Sequence, residues 1–189
     1  MSYVDLHVHS NASDGTLSPE QVVRLAHEAG LSAIALTDHD TTAGVAGAAE
    51  AGAELGLEVV PGIEVSSSFR DHEIHILGLF VDTDSPSLQA ALKEFRHHRD
   101  QRNQEMLGRF DAHGIHLTAE DLCAGNPDTV ITRAHVARAL LAKGLGPDLD
   151  HIFKKYLQYG GIYCPPKEFL PPEAVMEALL DSHAFVGLA

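Results

Sequence analysis

Apolar and polar residues alternate from Tyr3 to His9. Val4, Leu6 and Val8 fall on one side and Asp5, His7 and His9 on the other, a period of two that predicts a strand. Ser18-Pro19-Glu20-Gln21 then offers an N-cap, a proline at the first helical position and a capping-box glutamine, which predicts a helix ending at Gly30. The short apolar run 31–38 predicts a buried strand. Residues 42–55, rich in Ala and Glu, favour helix, with Gly56 as terminator. A third strand is predicted over 57–65, where Pro61-Gly62 implies a bulge or a bend, and a fourth over 73–81.

From Ser85 to His113 the spacing predicts one long polar-faced helix with Leu88, Leu92, Phe95, Met106, Leu107 and Phe110 as its buried stripe. Shorter helices follow over 119–123, over 133–143 after an N-cap at Thr132, and over 149–157. A Gly/Pro-rich loop spans 159–170. Pro171 or Pro172 opens a last helix to Asp181, and 184–189 reads as another buried strand. The outer parts therefore have parallel-sheet, strand–helix–strand character around a helical insertion. The expected division is an N-terminal barrel part at 1–83, an insertion at 84–168 and a return to the barrel at 169–189. An α/β barrel or related sheet with a helical insert is the economical architecture. The last strand would then be an open edge, and the chain is shorter than the roughly 250 residues typical of a closed α/β barrel.

Composition sharpens this picture. The 189 residues carry 27 Asp+Glu against 13 Lys+Arg, a formal net charge of −14, which speaks against a broad electrostatic grip on duplex DNA. No run approaches the roughly 20 apolar residues of a membrane span. The two cysteines, Cys123 and Cys164, suggest neither a disulfide scaffold nor a thiolate zinc site, and a reducing cytoplasm is the expected compartment. Thirteen histidines beside an acidic excess raise the question of bound cations.

The positions of the acidic and imidazole residues answer it. His7 and His9 lie two apart on one strand face, and Asp14 follows in the next loop. Asp38-His39-Asp40 ends the second strand, Glu64 ends the third, and His75 sits in the fourth. In parallel α/β folds chemistry gathers at the ends of successive strands. Histidine and carboxylate without thiolate suit Zn, Mn or Fe(II). Elsewhere His27, His72, His151 and His183 read as ordinary surface or core residues. His97-His98 reads as a solvated helix face, while His113 and His116 answer to a helix dipole.

Taken in order, Asp5-Leu6-His7-Val8-His9-Ser10, Ser13-Asp14-Gly15, Thr37-Asp38-His39-Asp40-Thr41, Pro61-Gly62-Ile63-Glu64 and His75-Ile76-Leu77-Gly78 resemble the PHP (polymerase and histidinol phosphatase) superfamily. The resemblance implies a distorted (β/α)7 barrel with a trinuclear metal centre. It implies that His7 and His9 hold one metal, that Glu64 bridges to a second bound by His75, and that Asp14 and His39 bind a third. Asp5 and Asp38 would orient imidazole rings. Family members complete the centre with a histidine after a final Gly-x-Ala strand and a later Asp-x-His. The sequence stops at Gly187-Leu188-Ala189. The expectation is thus a barrel whose C-terminal part is missing, with its second and third metal sites incomplete.

Ile131-Thr132-Arg133-Ala134-His135 opens a helix, where the dipole disfavours a cation and favours an anion. Arg133 can grip phosphate bidentately and His135 can donate a hydrogen bond to it. The stretch from Gly125 to Ala139 also resembles the insert of the PHP subgroup that acts on nucleoside 3′,5′-bisphosphates and on the 5′ ends of short RNA, although Ala134 stands where that subgroup usually has proline. The resemblance implies a phosphoesterase in which two or three divalent ions, manganese foremost, with zinc, iron and magnesium as alternatives, activate a hydroxide. Its substrate would be a nucleotide or a short oligonucleotide. A histidinol-phosphate phosphatase and a non-catalytic metal-binding module are the competing readings.

Overall fold

A computed structural model describes residues 3–70, 72–123, 126–166 and 170–189. Gly125, where the resemblance of the insert begins, and residues 167–169 of the predicted Gly/Pro-rich loop lie outside the described residues. The chain divides into two compact units, residues 1–95 with 169–189, and residues 96–168.

The first unit holds β1 (Tyr3–Val8), α1 (Pro19–Glu28), β2 (Leu31–Leu36), α2 (Val45–Leu55), β3 (Glu58–Phe69) and β4 (His72–Leu79). The long helix α3 (Pro86–Ala112) starts in this unit, and α7 (Pro172–Asp181) and β5 (Phe185–Leu188) complete it. The five strands lie in the order β1-β2-β3-β4-β5, a partial barrel with β1 and β5 as its edges. Local chemistry accounts for α1: the Gln21 amide donates to Ser18 Oγ at 3.3 Å, and the Ser18 amide donates to Gln21 Oε1 at 2.9 Å. Helix α2 starts later than the sequence predicts, because the Thr41 hydroxyl accepts the Ala43 amide and holds a turn before it.

The sheet departs from the expected parallel character in its second half. Strands β1, β2 and β3 are parallel, but β3–β4 and β4–β5 are antiparallel. Only two residues of sequence separate Phe69 from His72, too few for the crossover that a parallel pair requires. Pro61-Gly62 carries no register shift in either ladder. At that point β3 leaves the β2 ladder and takes up β4 from Gly62 onward, with one isolated parallel bridge, His39↔Glu64, remaining on the β2 side. Glycine is needed there: a Cβ on Gly62 would stand 2.8 Å from Thr37 Cγ2 and 2.9 Å from the Leu36 carbonyl oxygen. Strand β3 also runs four residues past its predicted end, since pairing with β4 continues to Phe69↔His72 and overrides the low strand preference of three serines.

One apolar cluster packs Val23, Ala26, Ile34, Leu36 and Ala48 between α1, α2 and the parallel strands. A second packs Ile63, Val65 and Ile76 of the antiparallel pair against Leu88, Leu92, Val175 and Leu179. The last strand is not buried as expected: Phe185 is 70% and Leu188 is 76% exposed, because β5 has a neighbour on one side only.

The second unit continues α3 and adds α4 (Ala119–Cys123), α5 (Arg133–Ala142) and α6 (Leu149–Tyr156) around a core that includes Met106, Phe110, Val136, Leu140 and Ile152. No helix among the described residues is long and apolar enough to cross a membrane.

Candidate metal centre

Glu64 is the hub of the site. The segment just after β2 holds it from one side: its amide donates to the Asp38 carbonyl at 3.2 Å, and its carbonyl accepts the Asp40 amide at 2.9 Å. Its carboxylate, nearly buried, meets four imidazoles. Oε2 lies 3.0 Å from His7 Nε2, 3.0 Å from His9 Nε2 and 3.4 Å from His39 Nδ1, while Oε1 lies 2.7 Å from His75 Nδ1. The four rings follow one another at centroid distances of 5.1, 4.7 and 4.9 Å. Asp14 closes the far end, 3.3 Å from His9 Nδ1 and 3.5 Å from His39 Nε2.

Among the described residues, three groups of potential ligand atoms result: His7–His9–Glu64, His9–Asp14–His39, and His39–Glu64–His75. Within each, the nitrogen and oxygen atoms lie within 4.8 Å of one another. Every residue expected to ligate a metal falls in one of them. The grouping differs in detail from the expected one, since His9 also faces Asp14 and His39 also faces Glu64. The antiparallel turn of β4 explains how His75 joins: it pairs with Ser66, and so reaches Glu64 diagonally across the ladder.

The electrostatics are those of a compact ion cluster. Burial pulls the His9 imidazole down, but Asp14 and Glu64 outweigh it and push the ring up to about 9. Hydrogen bonds to Glu64 and then Glu73 push His75 up to about 9. Burial holds His39 below the usual range against the pull of Glu64 and Asp14. Burial would raise Glu64, yet the surrounding imidazoles hold its carboxyl far below the usual range. His39 Nδ1 is a buried ring nitrogen whose 3.4 Å approach to Glu64 Oε2 makes no hydrogen bond, so its lone pair or proton is left without a hydrogen-bond partner. A divalent cation accepting that lone pair would remove the deficit, so the donor set fits a metal.

Among the described residues, neither the Asp5 nor the Asp38 carboxylate hydrogen-bonds an imidazole directly; Asp38 reaches His9 only through the Ser13 hydroxyl, which lies 3.4 Å from His9 Nδ1. Asp5 accepts the His7 backbone amide at 3.2 Å. Asp38, almost fully buried, accepts the Ser10 amide at 2.7 Å and the Ser10 and Ser13 hydroxyls at 2.6 Å each. It thereby clamps the loop that presents His9 and Asp14. Gly15 permits the tight fold of that loop, because a Cβ there would stand 2.5 Å from the His9 carbonyl oxygen. Sequence reasoning passed over Ser10 and Ser13, and also Glu73, whose Oε1 lies 3.5 Å from His75 Nε2. Its signal was the period of two, which puts residues 73 and 75 on one face of β4.

Residues 5–162 match the family model described as PHP domain. The chain belongs to the PHP domain family. Among its PHP relatives, the 3′,5′-nucleoside bisphosphate phosphatase of Chromobacterium violaceum is 40% identical over 162 residues, 85% of this chain and 56% of the relative. The 5′-3′ exoribonuclease Rnm of Escherichia coli K12 is 40% identical over 169 residues, 86% of this chain and 57% of the relative. The chain thus spans somewhat more than half the length of these two. Among solved PHP-like structures, a Bifidobacterium adolescentis protein described as a metal-dependent phosphoesterase superposes with a TM-score of 0.91 at 29% identity, covering 99% of this chain and 66% of that one.

Arg133 and His135 lie in the second unit. Thr132 caps α5, its hydroxyl accepting the Ala134 amide at 3.1 Å, and His135 completes the capping box. His135 Nδ1 accepts the Thr132 amide at 3.0 Å, so the neutral, buried ring carries its proton on Nε2. The Arg133 guanidinium lies 3.8 Å over the Tyr159 ring and donates to the Leu157 carbonyl at 3.4 Å.

Proposed function

We propose that the protein of which this chain is the sequence is a metal-dependent phosphoesterase acting on phosphate esters of nucleotides, either nucleoside 3′,5′-bisphosphates or the 5′ ends of short oligonucleotides. The observation that carries this reading is the convergence of four imidazoles on the Glu64 carboxylate, with Asp14 beyond them. The names of the two curated relatives support the substrate class. His7, His9 and Glu64 would hold one cation, Glu64, His39 and His75 a second, and His9, Asp14 and His39 a third. Manganese is favoured over zinc, iron and magnesium. When bound, the cations supply Lewis acidity that turns water into a nucleophile at neutral pH and offsets phosphate charge.

The protein's own residues do the rest. Asp38 fixes the loop that positions His9 and Asp14, and Glu64 joins neighbouring ligand groups through its two oxygens. Arg133 and the Nε2–H of His135 contact a substrate phosphate, the guanidinium by its planar fork and the imidazole as a single donor. No side chain is required as a nucleophile. The test is phosphate release from adenosine 3′,5′-bisphosphate and from a 5′-phosphorylated short RNA in the presence of manganese. Turnover of either supports the reading, and inactivity across a panel of phosphate esters removes it.

A further inference from the structure

In the run Asp38-His39-Asp40, His39 faces the ligand cluster and Asp38 clamps the loop of His9 and Asp14. Among the described residues Asp40 belongs to no group of ligand atoms. Yet it is only 2% exposed, and its φ of 53° lies in the left-handed region, which Asp and Asn tolerate better than other residues with a Cβ.

The surroundings of Asp40 show what it does. The ladder between β2 and β3 ends at Leu36↔Pro61, while β3 runs on to Phe69 with backbone groups still turned to that side. At Glu64 these groups meet backbone, the Asp38 carbonyl and the Asp40 amide. Two residues further the Ser66 amide donates to a side chain instead, Asp40 Oδ1, at 2.9 Å. Ser66 is 3% exposed, so loss of that oxygen would take a partner from an N–H that water does not reach. Asp40 thus grips β3 at two alternate residues, by its amide and by its carboxylate, as a further stretch of β2 would.

Both grips bear on ligands. Glu64 is the hub, and Ser66 is the register partner of His75. Because the Ser66 N–H points to Asp40 and not to β4, this pair is of the non-hydrogen-bonded kind, in which opposed backbones come closest. His39 directly precedes Asp40. One residue therefore ties together the segments that carry His39, Glu64 and His75, the members of one ligand group.

We propose that Asp40 is a positioning residue of the metal centre, its carboxylate standing in for a further residue of β2 and holding His39, Glu64 and His75 in register with one another. The proposal rests on the metal reading of those three residues and not on the identity of the substrate.

Two substitutions separate the bond from the charge. Asp40→Asn keeps an acceptor oxygen and tolerates the positive φ, but drops the charge. Asp40→Gly takes the same φ without strain and removes the oxygen. Manganese affinity is read by calorimetry on the whole chain, and exchange of the Ser66 amide by hydrogen–deuterium NMR without metal. The Ser66 amide should exchange slowly in the wild type and much faster in Asp40→Gly. Manganese affinity should fall about ten- to hundredfold in Asp40→Gly, the usual loss when a group that orients a ligand is removed. Asp40→Asn should keep slow exchange and bind manganese more nearly as the wild type does.

A merely structural role would lower the thermal midpoint of Asp40→Gly and leave the manganese affinity of the folded protein unchanged; that result overturns the proposal. Fast exchange of Ser66 in the wild type overturns it too, and that measurement holds even if a variant does not fold. Equal loss of affinity in Asp40→Asn and Asp40→Gly would trace the effect to charge instead of the bond, and overturns it as well. Phosphate release is read separately. Asp40-dependent manganese binding without turnover of any ester would remove the phosphoesterase reading and leave Asp40 in its role. Turnover with manganese binding indifferent to Asp40→Gly would do the opposite.

Discussion

Glu64 and His75 meet across the antiparallel β3–β4 pair, Oε1 to Nδ1 at 2.7 Å, although Glu64 sits opposite Leu77 and His75 opposite Ser66. This diagonal contact depends on β4 reversing direction after Phe69. A parallel fourth strand would have needed a crossover and a different register. Glu64 is therefore the point at which the parallel and antiparallel halves of the sheet deliver ligands to one place.

Glu64→Gln should disperse the cluster. Without the carboxylate, His75 loses the stronger of its two raising partners, Glu73 remaining, and His9 loses the weaker of its two, Asp14 remaining, so both should titrate lower, toward the ordinary histidine value of about 6.5. Histidine proton resonances followed by NMR against pH would report this directly. Titration that remains near 9 for both rings in the variant would show that Glu64 is not the hub.

The stability of the metal-free protein should depend on pH in a defined direction. His9 and His75 are raised to about 9, above an unfolded value near 6.5, so their contribution is complete below about 6.5 and is lost as pH rises through 9. Glu64 is depressed, so its contribution is present above the usual carboxylate range and is lost on acidification. Thermal midpoints without metal should therefore fall between pH 7 and 9. A metal must displace the imidazole protons, so metal binding near neutral pH should release protons, which calorimetry in buffers of different ionisation enthalpy would measure.

Gly62→Ala places a Cβ against Thr37 Cγ2 and the Leu36 carbonyl. Backbone on one side of the contact cannot yield cheaply, so the substitution should cost about 1–3 kcal/mol. Because Gly62 lies two residues from Glu64 where β3 changes neighbours, metal affinity should fall as well. Denaturant unfolding and a metal titration on the same variant would check both effects.

The strand positions and the residues that gather at the candidate site were legible in the sequence because their signals are local. The His7/His9 alternation, the Asp-His-Asp at the end of β2, and the Ser18 and Thr132 caps each depend on residues close in sequence. Pairing direction and burial were not legible. The β4 run looks the same read parallel or antiparallel, and the apolar 184–189 segment gives no sign that one flank of β5 is open. Asp38 was misassigned for a related reason. Its partners, Ser10 and Ser13, are 28 and 25 residues away, and only the fold decides that they, rather than an imidazole, reach it first.

Thr132→Ala removes the hydroxyl that caps α5 and should cost about 1 kcal/mol, the usual loss for an N-cap. It leaves the Thr132 amide to His135 Nδ1, so the Nε2–H tautomer should survive. Nitrogen-15 chemical shifts of the His135 ring distinguish the tautomers. A switch to Nδ1–H would show that the hydroxyl, not the amide, sets the proton.

Crystals soaked in manganese and measured at the manganese absorption edge bear most directly on the metal centre. Anomalous peaks should appear within coordination distance of the ring nitrogens of His7 and His9 and of a Glu64 oxygen. Peaks confined to other carboxylates, or none near Glu64 at saturating manganese, would contradict it.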